Sequence, residues 1–216
     1  HLPVIYVFTH DSIGLGEDGP THQSVEQLST LRVIPGMSVW RPADVTETAL
    51  SWKSSLDKLS GPSSLILTRQ TLPELKRSKN QIESIQKGGY VIHDCGKKTD
   101  AIIISSGSEL HICIEAAENL RKNGILVRVI SMPCMEQFMI QPKAYRDKTL
   151  PPDIENVLAV EAGIGVCWDK FIGKRGAKIV MESFGLSAPG QEALTYFGFT
   201  KNNIVKSIKK LIKTNG

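Results

Sequence analysis

Apolar residues fall into short continuous runs along this chain, separated by longer stretches in which they recur every three to four positions. The first run, Val4 to Phe8, is β-branched and aromatic throughout, the pattern of a parallel strand buried on both faces. A helix is predicted over "SVEQLSTLRV", with Ser24 and Gln27 spaced as a capping box and Pro35-Gly36 closing it. "MSVW" reads as a second strand ended by Pro42, and Asp44 with Glu47 opens the helix "DVTETALSWKSSLDKL". Ser60-Gly61-Pro62 turns the chain into a third strand, "SSLILTRQ", ending near Arg69.

Residues 71–99 are polar, carry "PELKRSKNQ" and Gly88-Gly89, and read as a linker with some local structure. A second series follows: the strand "DAIIIS", the helix "SELHICIEAAENLRKNG" ending at Gly124, and the strand "ILVRVISM". After an irregular stretch through Pro151-Pro152 come the strand "NVLAVEA", the helical "GVCWDKFIGK" and the strand "AKIVME". Two terminal helices close the chain, the last in "NNIVKSIKKLIK" behind a cap at Thr200. Strands alternating with helices predict an α/β fold in two lobes of unequal completeness: residues 1–75, a linker at 76–95, and a mostly parallel, three-layer lobe at 96–216.

Composition alters this picture little. The formal net charge of +4 is concentrated in the tail "KSIKKLIK", a solvated helix face, so nucleic acid is not an expected partner. No run approaches the ~18 apolar residues of a membrane span, and no signal peptide is visible. Cys95, Cys113, Cys134 and Cys167 are spaced neither as a zinc module nor as a disulfide framework; four free thiols point to a reducing, cytoplasmic setting. The chain lacks an initiator Met and begins inside a strand, so a preceding segment is expected.

Chemistry gathers in "THDSIGLGEDGPTHQ", residues 9–23. Gly14, Gly16 and Gly19 match the dinucleotide spacing G-x-G-x-x-G, but Glu17 and Asp18 would face a pyrophosphate and Pro20 removes a donor. The glycines are better explained as bending the chain to present side chains. His10 ends the first strand, Arg69 ends the third, and Asp18 and His22 ride the loop, so all four are expected at the carboxyl edge of one parallel sheet. A guanidinium for phosphate, with imidazoles and a carboxylate for hydroxyls and proton transfer, suits a phosphorylated polyol. In the second lobe, Glu161 reads as a structural or solvent-facing acid and Ser105 to Ser108 as ordinary helix capping.

"THDSIGLGEDGPTHQ" closely resembles the signature of the transketolases, and the likeness continues through "LRVIPGMSVWRPAD", "GPSSLILTRQ", "GGYVIHDC", "SSGSE", "VRVISMP", "LAVEAGI" and "FGLSAPG". One departure is Ser24, where the motif commonly continues with Pro. The resemblance implies part of a pyrimidine-binding domain followed by a C-terminal domain, in an enzyme moving a two-carbon ketol unit from a ketose phosphate to an aldose phosphate in the pentose phosphate pathway. It implies substrate binding by His10, Asp18, His22 and Arg69, with His22 also catalytic. Thiamine diphosphate and Mg would serve the complete enzyme, a homodimer, with their ligands and the activating glutamate mostly outside this chain. The resemblance thus implies a C-terminal fragment, inactive alone. Another thiamine diphosphate enzyme of the superfamily, or a non-catalytic assembly subunit, stands as the alternative.

Overall fold

The computed structural model describes residues 2–96 and 98–215. The first lobe is a parallel sheet of β1 (Ile5–Thr9), β2 (Ser38–Trp40) and β3 (Ser63–Leu67), in the order β1-β3-β2, with α1 (Gln27–Arg32) and α2 (Val45–Asp57) as crossovers. Thr9 lies beside Leu67 and Trp40 beside Leu65, so the residues that leave these strands, His10, Arg41 and Thr68-Arg69, emerge at one edge.

α3 (Lys79–Ile85) leads into the second sheet, which holds β4 (Tyr90–His93), β5 (Ala101–Ser105), β6 (Val127–Ser131), β7 (Val157–Ile164) and β8 (Ala177–Met181), ordered β4-β6-β5-β7-β8. All neighbours run parallel except β4, which is antiparallel to β6. Between and after these strands lie α4 (Leu110–Lys122), α5 (Met135–Met139), α6 (Lys143–Thr149), α7 (Asp169–Ile172), α8 (Gly190–Tyr196) and α9 (Lys201–Asn215). Ile103 packs with Leu110, Leu120, Ile204 and Ile208 on one face, while Ile102 and Ile104 pack with Phe138, Trp168 and Phe171 on the other. Helices therefore cover both faces, giving three layers.

Several expectations need correction. β1 is not buried on both faces: it is an edge strand whose Tyr6, Val7 and Phe8 remain substantially exposed, because β3 is its one neighbour. Ser24 and Gln27 form no capping box. The Ser24 hydroxyl donates instead to the His10 carbonyl (3.2 Å), Gln27 Oε1 accepts from the Val25 amide, and the helix starts at Gln27. A capping box does form at Ser78 and Gln81. Asp44 accepts from the Glu47 amide as expected, and Thr200 caps α9 through Asn203 N. The segment 76–95 is more than a connector, since it contributes α3 and the strand β4, and the irregular stretch before Pro151 contains α5 and α6.

Arg77 fixes the connection between the lobes. Its Nη1 reaches Asp44 Oδ2 (2.5 Å) and the Leu75 carbonyl (2.9 Å), and its Nε donates to the Tyr90 hydroxyl (2.7 Å). That hydroxyl donates in turn to Glu47 (2.7 Å). Elsewhere the lobes meet through Arg41 N on the Pro133 carbonyl (2.8 Å), Ile164 N on the Val25 carbonyl (3.0 Å), and the Ser29 hydroxyl on the Ile164 carbonyl (2.7 Å).

Candidate functional site

The loop after β1 has a buried base and an exposed tip. At the base, Ser12 Oγ accepts from the Gly14 amide (3.3 Å) and so caps a 3₁₀ turn over Ile13–Leu15. Gly16 (φ 120°) and Gly19 (φ 98°) then take backbone angles that side-chain-bearing residues rarely adopt, and this reverses the chain around the tip. Pro20 starts a second turn ending at His22. The buried Gln23 amide ties the limbs together, donating to the carbonyls of Ile13 (3.2 Å), Gly16 (3.4 Å) and Leu186 (2.8 Å). Leu186 belongs to the second lobe, and from the same segment the Ser187 hydroxyl donates to the Glu17 carbonyl (3.0 Å).

Arg69 lies against this loop. Its Nη1 donates to the Leu15 carbonyl (3.2 Å), while Gly14 sits so tightly on Gln70 that any Cβ there would strike the Gln70 amide. Asp18, His22 and Arg69 are solvent-exposed, with His22 Nδ1 within 3.4 Å of the Thr21 hydroxyl. The remaining member, His10, is half-buried on the same strand edge, and its Nδ1 is a buried nitrogen without a hydrogen-bond partner. It lines a cavity of about 480 Å³ with Phe8, Ser24, Gln27, Leu28 and Ile66. Asp18, His22 and Arg69 do not line that cavity. The structure therefore brings Arg69 to the loop that bears Asp18 and His22, and leaves His10 beside them on the edge but opening onto separate space.

Sequence reasoning missed the charges beneath the loop. Arg41, fully buried, directs Nε (3.0 Å) and Nη2 (2.7 Å) at Asp11 Oδ2, and its Nη1 meets Glu109 Oε2 at 2.5 Å. Burial alone would lower the Arg41 pKa, but Glu109 and Asp11 outweigh it, so the guanidinium is held above its ordinary value. Of its two readings Glu161 takes the structural one and not the solvent-facing one: it pairs with Arg32 (2.7 and 2.9 Å) and accepts from Ser106 Oγ (2.5 Å) and Trp168 Nε1 (2.8 Å). Burial opposes its ionisation, yet Arg32, then Arg41 and Ser106, hold its carboxyl below the usual range. The clue lay inside the quoted motifs: Asp11 in "THDS", Arg41 in "WRPAD" and Glu109 in "SSGSE". No group of three or more His, Cys, Asp or Glu among the described residues is arranged to hold a metal ion.

Two family descriptions cover most of the chain: "Transketolase, pyrimidine binding domain" matches residues 1–74, and "Transketolase-like TK C-terminal domain" matches residues 88–200. The chain is 47% identical to Transketolase 2 of Escherichia coli (strain K12) over 212 residues, 98% of this chain. It is 49% identical to a transketolase of Buchnera aphidicola subsp. Acyrthosiphon pisum over 210 residues, 97% of this chain. In both cases it spans 32% of the relative's length. Among solved structures, transketolase from Leishmania mexicana superposes with a TM-score of 0.89 at 40% identity, covering 98% of this chain and 30% of that one. A Pichia stipitis transketolase in complex with sedoheptulose-7-phosphate gives 0.90 at 36% identity, with the same coverage.

Proposed function

Because this chain belongs to the transketolase family, we propose that it supplies the sugar-phosphate-binding part of a transketolase, which moves a two-carbon ketol unit from a ketose phosphate to an aldose phosphate. The observation that carries this reading is the Arg69 guanidinium resting on the Leu15 carbonyl, at the base of the loop that presents Asp18 and His22 to solvent. That placement leaves the other guanidinium N–H groups to meet a phosphate in the forked geometry that arginine offers and lysine does not.

In this reading Asp18 accepts a hydrogen bond from the hydroxyl beside the reacting carbon. His22 hydrogen-bonds the donor's reacting end and passes protons there, a task suited to an imidazole at neutral pH. His10 is assigned to the sugar-phosphate chain from its place at the end of β1, with its ring opening onto the neighbouring cavity. Transketolases in general depend on thiamine diphosphate, and carbon–carbon bond cleavage is that cofactor's chemistry. The described residues do not fit its diphosphate and magnesium ion, since the site's exposed polar groups are one guanidinium, one imidazole and a single carboxylate, which accepts and does not donate. We assign those ligands, and the activating glutamate, to protein outside this chain. A homodimeric, cytoplasmic enzyme of the pentose phosphate pathway is the setting this reading implies. Four free cysteines support a reducing compartment, and the uncovered apolar residues of β1 support further protein against that edge.

The test joins this chain to the remaining two-thirds of the E. coli relative in place of its matching third. Arg69→Ala should raise KM for a phosphorylated ketose by about tenfold or more and leave KM for an unphosphorylated ketose alone. An unchanged KM for the phosphorylated donor would overturn the assignment.

A further inference from the structure

The second lobe reaches the proposed substrate loop through a continuous buried chain of polar contacts. Glu109 takes Arg41 on both carboxylate oxygens, Oε2 from Nη1 (2.5 Å) and Oε1 from Nη2 (3.1 Å). It is itself fixed by the Ala162 amide (3.0 Å) and the Ser108 hydroxyl (2.5 Å). The adjacent edge of the same guanidinium, Nε and Nη2, grips Asp11 Oδ2, and Asp11 Oδ1 accepts from the Ser12 hydroxyl (3.0 Å). Ser12 Oγ accepts in turn from the Gly14 amide, in the turn whose Leu15 carbonyl receives Arg69. Arg41, Asp11, Ser12 and Glu109 are all buried. Gly107 closes the slot: at φ 63° it lies where an added Cβ would stand 2.5 Å from Arg41 Cζ.

We propose that Asp11, Arg41 and Glu109 are positioning residues, through which the second lobe sets His10 and the turn beneath Arg69 in place for sugar phosphate. They touch no substrate. Carboxylates on two adjacent edges of one planar guanidinium fix orientation as well as distance, and because both are buried, water does not compete for the contacts. The C-terminal lobe, which holds none of the proposed substrate-binding side chains, thereby has a part in the site.

This inference rests on the sugar-phosphate reading, and two measurements separate them. In the 216-residue chain, Glu109→Gln should speed hydrogen exchange of the Gly14 and Leu15 amides by about tenfold, with Ile102–Ile104 unchanged. In the joined enzyme, Glu109→Gln and Asp11→Asn should each raise KM for the phosphorylated ketose more than they lower kcat. The double variant should add less than the product of the two, because both act through Arg41. Loop exchange identical to the parent's overturns the proposal. So does an unmoved KM in these variants where Arg69→Ala does raise it. Should Arg69→Ala itself leave KM unmoved, the functional reading fails instead, and loop exchange alone decides whether the chain of contacts positions the turn. Where Glu109→Gln does not fold, Gly107→Ala, which displaces the guanidinium but keeps every charge, decides by the same two readouts.

Discussion

At the centre of the second sheet, β5 buries every side chain from Ala101 to Ser105, whereas β1, at the edge of the first, leaves Tyr6 44%, Val7 47% and Phe8 44% exposed. The two strands are equally long and similarly apolar, and differ in their neighbours. β5 lies between β6 and β7 with helices above and below, while β1 has β3 alone. The first lobe thus builds its proposed site on a sheet with less packing around it. Its own apolar clusters, Leu28 with Met37, Val39 and Ile66, and Trp40 with Leu65, are small, and ionic contacts between the lobes, Arg41 to Glu109 and Arg32 to Glu161, add to them. Removing one partner from such a pair strands a buried charge, which is why these contacts govern the contrast.

The contrast breaks most sharply at Arg41. Arg41→Ala leaves Asp11 and Glu109 buried without their counter-ion and should cost about 3–5 kcal/mol in urea unfolding; a loss under about 1 kcal/mol would mean that water replaces the guanidinium at little cost. Acid reaches the same boundary more gently. The folded-state pKa of Glu161 is lowered from 4.5, so its contribution is complete above that value and is lost as pH falls through the lower folded one. Between about pH 6 and about pH 3.5 the Glu161→Gln variant should therefore lose less stability than the parent, and parallel curves would refute the coupling. Smallest of the three effects, and the most direct on the two strands, is trimming. Ile103→Val should cost about 1 kcal/mol and Val7→Ala less than about 0.5 kcal/mol, and equal losses would show β1 to be as well packed as β5.

The β/α alternation was legible because each strand and each long helix carries its own period in consecutive residues, as "AIIIS" and "LHICIEAAENLRK" do. The loop was legible through residue types, with glycines where φ is positive and imidazoles and a carboxylate between them. α5 and α6 were not, since five and seven residues are too few to show a helical repeat. Nor was the Arg41 clasp: all three members sit in the quoted motifs, but the partners lie 30 and 68 positions away, and no spacing pairs them. Ser24 misled for a related reason. Its hydroxyl had a tertiary acceptor in the His10 carbonyl, so the expected local cap did not form.

Arg77 has a consequence for motion. The stretch joining the lobes is irregular, the kind of backbone on which domains ordinarily swing. Yet the Arg77 guanidinium is pinned to Asp44 and Glu47 of the first lobe and donates to the Tyr90 hydroxyl of the second. A swing of one lobe against the other about this stretch would therefore have to break the buried Arg77 contacts with Asp44 and Glu47.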